Sequence, residues 1–232
     1  MSAYVFPILA LVHLSVLFWC IVLIRRNDAP GAGIIAFIAA ALVYDNLIVS
    51  LGSTIGVGSF LQMLSWPRFA LHALLTPFMM IAAIQLGAAA GINWAKNNNC
   101  RLTVWAIVIV MVVYGVFDHL IGLKVVPACF DGILRYTANL HPSHFCSPED
   151  QQMLGAGPPL PAIVGNFLTL IVGFAIWRRI GWIWLMLGSL AMFLAAASPI
   201  SLYGMAPSNT GEAFLMTAYV ATCWRLRKPI NE

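Results

Sequence analysis

The sequence predicts an all-α polytopic membrane protein, a seven-transmembrane-helix bundle with its N-terminus outside and its C-terminus cytoplasmic. Three observations predict it. Of 232 residues, 61% are hydrophobic and 9% are charged, against about 25% charged residues in a soluble domain, so most of the surface must face lipid. Seven stretches reach or approach the roughly 20 mainly apolar residues that a spanning helix needs. Lys and Arg alternate between loops in the manner that orients a membrane protein. The net charge of +4 sits in loop clusters, which orient the chain rather than recruit nucleic acid.

The predicted spans are 4–24, 31–51, 69–91, 103–123, 160–177, 181–201 and 211–224. The first has no basic segment before it and is followed by Arg25 and Arg26, not by a small-residue cleavage site, so it reads as a retained helix. The seventh is the shortest. The segment 124–159 is polar and carries Pro127, Pro142, Pro148, Pro158 and Pro159; it reads as an ordered or partly ordered extracytoplasmic loop. A second connection, 53–67, is glycine-rich and amphipathic. No internal repeat supports an inverted-repeat transporter, and residues 1–232 read as one helical domain.

Orientation and span number support each other. Arg25, Arg26, Lys96, Arg101, Arg178, Arg179, Arg225, Arg227 and Lys228 fall on one side of a seven-span chain, and only Arg68, Lys124 and Arg135 on the other. Nine against three places the first group in the cytoplasm, as for a protein of the cytoplasmic membrane in a bacterium or of an endomembrane in a eukaryote. The long loop then lies in an oxidising compartment, where Cys129 and Cys146 are expected to form a disulfide. Two free thiols, or a metal pair with His141 and His144, are the alternatives.

The most informative residues are ionisable groups inside the spans. Of eight acids, three lie there: Asp45, Asp118 and Glu212. His13, Arg68, His72 and His119 join them. A charge at mid-bilayer costs about 2.5–3.5 kcal/mol, so such groups face the bundle interior or water. Counting residues along the helices puts Asp45 and Asp118 about 21–23 Å from the inner edge, and Arg68, His72 and Glu212 within about 6 Å of the outer edge. One outer-leaflet slab thus collects ionisable groups from four helices, while the inner half holds almost none. Arg68 and His72, four residues apart, share a helix face. Asn46 extends the polar step at Asp45.

Three chemistries suit this slab. Asp45–Arg68 and Asp118–His72 pairs could simply join helices. His72, His119 and Asp118, with Asp45 or Glu212, could hold a divalent metal such as zinc with a water in the open position, although no HxxxH or HExxH spacing is present. Alternatively, a carboxyl group in apolar surroundings can keep its proton and donate it to a double bond or epoxide, while a His or second carboxylate takes one up elsewhere. Tyr44, Trp66, Tyr114 and Phe117 lie at a similar level and could stabilise a developing cation, or form an interfacial aromatic belt.

The early acid Asp45 and the late acid Glu212 resemble, in outline, the acid pair of the small integral-membrane terpene cyclases of fungi and bacteria, which are of similar length and have seven spans. The resemblance implies proton-initiated cyclisation with these two acids in the reaction. Retinal-binding seven-helix proteins need a Lys in the last span, and 211–224 has none. Zinc hydrolases of the ceramidase and adiponectin-receptor type carry an HxxxH pair there, and 211–224 has no His.

The expected function is therefore an intramembrane enzyme acting on a membrane lipid or isoprenoid from the outer leaflet, by acid–base cyclisation or isomerisation or by metal-assisted hydrolysis. Its catalytic residues would be Asp45, Glu212, His72 and Asp118, with substrate contacts from Asn46, Arg68, Tyr44, Tyr114, Phe117 and Trp66. The competing class is a non-enzymatic transporter, receptor or membrane assembly factor. The nearly apolar inner halves of helices 2, 4 and 7 argue against the transporter.

Overall fold

A computed structural model describes residues 4–26, 29–121, 123, 125–138, 144–146 and 159–227; the His119 side chain also lies outside the described part. The chain is a mostly helical, multi-pass membrane protein. In lipid the backbone must satisfy its own hydrogen bonds, and a helix does so within one segment. Its helices are α1 (Val5–Arg26), α2 (Ala32–Ile55), α3 (Ser59–Leu75), α4 (Met79–Ala89), the short α5 (Asn93–Lys96), α6 (Asn98–His119), α7 (Leu160–Ile180), α8 (Trp184–Ala196), the short α9 (Ile200–Tyr203) and α10 (Ala206–Arg225). Arg25 and Arg26 end α1, and Arg178 and Arg179 end α7, where positive charge complements the helix dipole.

Among the described residues, five helical runs are long and apolar enough to cross a membrane: Val5–Arg26, Ala32–Ile55, Ser59–Ala89, Asn98–Asp118 and Leu160–Ile180. The other two predicted spans differ in kind. The predicted span 181–201 is an apolar helix of 13 residues, because the chain turns extended at Pro199 before α9 begins. The span 211–224 starts earlier, at Ala206, with Pro207 in its first turn, where a missing N–H costs nothing. It carries Asn209, Thr210, Glu212, Thr217 and Thr222.

The third span also starts earlier than predicted. Ser59–Pro67 is not a loop but the first half of α3, which runs into α4 through a 3₁₀ turn at Thr76–Phe78. Leu61, Ser65 and Arg68, spaced four and three apart, form its buried stripe. Arg68 is therefore nine residues into the helix, roughly 14 Å from its start. Glu212 is likewise about 9 Å into α10.

The long connection contains an antiparallel hairpin, β1 (Val126–Phe130) and β2 (Ile133–Thr137), with Phe130 opposite Ile133. Asp131 and Gly132 turn it with φ of 49° and 79°, the positive pair that a two-residue type I′ turn requires. A Cys129–Cys146 disulfide ties the following segment to β1, and Ala128 bridges to Phe145.

This hairpin is sunk into the bundle. A Cβ on Gly52 of α2 would fall inside the Leu134 carbonyl, so the strand lies directly on the helix backbone. Ser53 Oγ donates to Gly132 O at 2.7 Å and accepts from Leu134 N–H at 3.0 Å, and the Tyr136 hydroxyl accepts from Gly58 N–H at 3.2 Å. Ile48, Leu61, Val125, Leu134 and Tyr136 form a second small core there, apart from the main helical core.

Neutral polar pairs also join the helices. Beside a cavity that it lines, Asn166 of α7 bonds Ser189 of α8 through its side chain and backbone. Tyr219 of α10 meets Thr169 Oγ1 and donates to Met79 O at 3.1 Å. Trp182 Nε1 donates to Thr222 Oγ1 at 2.9 Å. Thr169, Tyr219 and Thr222 are fully buried.

Candidate functional site

At the hairpin end the helices enclose a cavity of about 260 Å³. Phe6 of α1, Ala162 of α7 and Ser208 of α10 line it near the beginnings of their helices, and Val49 of α2 and Ala196 of α8 line it near the ends of theirs. These helices thus alternate in direction around it. Much of the wall is apolar: Phe6, Val49, Phe69, Ile163, Met192, Phe193 and Met205. Asp45, Arg68, His72, Arg135, Asn209 and Glu212 supply most of the polar part.

Asp45 is the hub. It is 4% exposed and accepts from Arg68 Nε at 2.7 Å. The Arg68 Nη1 donates to Tyr136 O at 3.3 Å, so β2 helps to aim the guanidinium. His72 Nε2, one turn beyond Arg68, is 3.9 Å from Asp45 Oδ1. Asn209 Nδ2 faces Asp45 Oδ2 at 3.5 Å and Asn46 Oδ1 at 3.4 Å, while Asn46 Nδ2 donates back to Leu42 O at 2.8 Å. A buried ion pair of this kind gains little net stability, yet removing one partner strands the other.

Glu212 lies three residues after Asn209 on the same face of α10. Its Oε2 is buried with no hydrogen-bond partner. Both ring nitrogens of His13, a fully buried residue of α1, also lack one.

Arg135 reads in the sequence only as a loop charge, and the fold buries it at the cavity. Side chains alternate along a strand. Leu134 and Tyr136 face the small core, and Arg135 and Thr137 line the cavity. Arg135 is 8% exposed, and its side chain makes no hydrogen bond or ion pair among the described residues. Burial pushes its guanidinium down to about 10; the nearby Arg68 adds to the shift and Asp45 opposes it. It is still a cation at neutral pH.

Of the predicted residues, Asp45, Arg68, His72 and Glu212 therefore reach one cavity, with Asn46 beside it. Asp118, Tyr114 and Phe117 do not line it. Their helix, α6, packs on α3 through Gly115 against Ala73, and Phe117 is 64% exposed. Equal depth did not bring Asp118 to Asp45, because its helix stands behind α3. Tyr44 does not line the cavity either; its hydroxyl donates to Leu64 O at 2.8 Å and pins α2 to α3. Trp66 lies on the outer face of α3, 36% exposed.

The metal set proposed from sequence is not assembled among the described residues. His72 lines the cavity and Asp118 does not, the His119 side chain lies outside the described part, and no group of three or more His, Cys, Asp or Glu side chains there could hold an ion.

Arg135, Asn209 and Asn166 were missed as site residues. Two signals could have found the first two. Asp-Gly at 131–132 is a strong hairpin signal, and Asn209 stands at helical spacing from Glu212.

The exposed members of the cavity lining are Pro159 and Ile163, at the start of α7, and Ala196, at the end of α8. Among the described residues the cavity thus reaches the surface between these two helices, through apolar side chains. No protein-family model matches this chain, and no curated protein matches it.

Proposed function

We propose that the chain is a seven-span protein with its N-terminus outside and its C-terminus in the cytoplasm, and that its cavity is the active site of an enzyme that isomerises or cyclises a lipid or isoprenoid by acid–base chemistry. The alternation of helix direction around the cavity supports the topology. So does the burial of Arg68 and Arg135: the exposed Lys and Arg among the described residues, Arg25, Arg26, Lys96, Arg101, Arg178, Arg179 and Arg225, all belong to the cytoplasmic side of that topology.

One observation carries the chemistry. An acid without a partner, Glu212, and a carboxylate–histidine couple, Asp45 and His72, come from different helices into one mainly apolar cavity. An acid with no cation paired to it in such a wall is best held neutral, so Glu212 has a proton to give. Donation to a double bond or epoxide oxygen would create a cation in the substrate. His72 then removes a proton from carbon, and Asp45, held anionic by Arg68, stabilises the imidazolium. One proton enters the substrate and one leaves, so the product has the mass of the substrate. The opening between α7 and α8 gives an apolar substrate a lateral route from the outer leaflet. The metal-assisted alternative has less support, because its donor set is not gathered at the cavity.

Mass spectrometry of the purified protein would identify the co-purified amphiphile, and chromatography after incubation would reveal an isomer of equal mass. Glu212→Gln is expected to keep the bound amphiphile and to lose conversion by about 10²–10⁴-fold. Folded Glu212→Gln and His72→Ala proteins that convert it at the wild-type rate would sink the acid–base reading. Cysteine labelling tests the topology: positions 97–99 should react from the cytoplasmic side and the hairpin turn from outside.

A further inference from the structure

We infer that the ligand of this cavity is an amphiphile with a phosphate head group, seated between Arg135 and Arg68, whose tail leaves between α7 and α8. The inference rests on the cavity being the ligand site proposed above, and it adds the chemistry of the head.

Charge leads to it first. Arg68 is matched by Asp45 at 2.7 Å. Arg135, also more than nine-tenths buried, lines the same cavity, and its side chain makes no hydrogen bond or ion pair among the described residues. Asp45 acts on both guanidinium groups but is paired with Arg68, so Arg135 is the excess cation of the cavity. An excess buried cation is costly. It stands this deep because β2 lies on the α2 backbone at Gly52, which leaves alternate side chains of the strand directed into the bundle. A guanidinium offers a planar fork of donors that fits the oxygens of a phosphate. Arg68 spends its Nε on Asp45 and its Nη1 on Tyr136 O, and its Nη2 adds a second cationic donor. Thr137, two residues from Arg135 on the same strand face, also lines the cavity.

Size and shape supply the rest. A volume of about 260 Å³ is below the roughly 300–1,000 Å³ of pockets that enclose a drug-sized ligand. It holds a head group and the first part of a chain. The remainder must leave through the side, past Ile163 and Ala196, which are apolar and exposed.

The test uses the full-length protein in detergent and measures binding, not turnover. Dodecyl phosphate, dodecanol and inorganic phosphate are titrated separately. Dodecyl phosphate is expected to bind at least tenfold more tightly than dodecanol, and inorganic phosphate to bind weakly. In Arg135→Gln the two dodecyl compounds should bind alike. If that variant does not fold, Arg135→Lys, which keeps the charge and loses the fork, should retain the preference for phosphate but reduce it severalfold. Equal affinities for the two dodecyl compounds in the wild type, or a preference that survives Arg135→Gln, would overturn the inference while leaving the acid–base reading in place. Inorganic phosphate binding as tightly as dodecyl phosphate would also overturn it, by making this a site for a free anion. Failure of both dodecyl compounds to bind would remove the cavity as a ligand site, and the proposed function with it.

Discussion

The two ends of the bundle handle buried polarity in opposite ways. Toward the cytoplasmic end of the proposed topology the buried polar groups are neutral and satisfy one another: Tyr219 with Thr169 and the Met79 carbonyl, Trp182 with Thr222. At the hairpin end they are ionisable and incompletely matched. Asp45 has Arg68, but Glu212 Oε2 has no hydrogen-bond partner and the Arg135 guanidinium makes no ion pair among the described residues. Satisfied neutral pairs join helices. Unsatisfied ionisable groups cost stability, and a fold that retains them around a cavity has chosen function there over packing.

The largest expected effect breaks the balance at the hub. Arg68→Ala leaves Asp45 buried without its cation and should destabilise the protein by about 3–5 kcal/mol. Asp45→Asn combined with Arg68→Gln should cost far less. Thermal unfolding of both in the same detergent checks this, and equal losses would mean that the pair is not electrostatically coupled. Next comes the covalent tie of the cavity end. Loss of the Cys129–Cys146 link, which closes a separation of 17 residues, should cost about 3 kcal/mol and loosen the hairpin. Hydrogen exchange of β1 and β2 is the readout, with protection in α7 and α10 unchanged.

Arg135→Gln sharpens the comparison because its sign is reversed. Removing a buried cation whose side chain has no hydrogen bond or ion pair among the described residues should stabilise the ligand-free protein by about 1–3 kcal/mol, whereas removing Arg68 weakens it. A melting temperature below that of the wild type would show that the cation is compensated. The smallest effect belongs to the other end. Tyr219→Phe removes a neutral hydroxyl from a satisfied pair and should cost about 0.6 kcal/mol, the average for such bonds between membrane helices, without changing conversion or ligand preference.

Depth was readable in the chain, and it accounts for the meeting of Asp45, Arg68, His72 and Glu212. Residue counts along apolar helices give an axial coordinate good to a turn or so, although α3 and α10 begin earlier than their hydropathy suggests. Rotation about each helix was not readable. Asp118 has the right depth and stands behind α3, since the choice of neighbour is made by small contacts such as Gly115 on Ala73.

The sequence by itself determined that this is a helical protein of the membrane, because the polar backbone of an apolar segment in lipid must close its own hydrogen bonds. It also determined that charged groups gather toward one end. Tertiary structure alone decided which of them share a cavity, and that the loop outside the predicted spans would supply one wall. A strand can lie on a helix only where a residue such as Gly52 leaves room. That fit depends on two distant segments at once, which is why Arg135 reads as a loop charge in the sequence and stands inside the bundle in the fold.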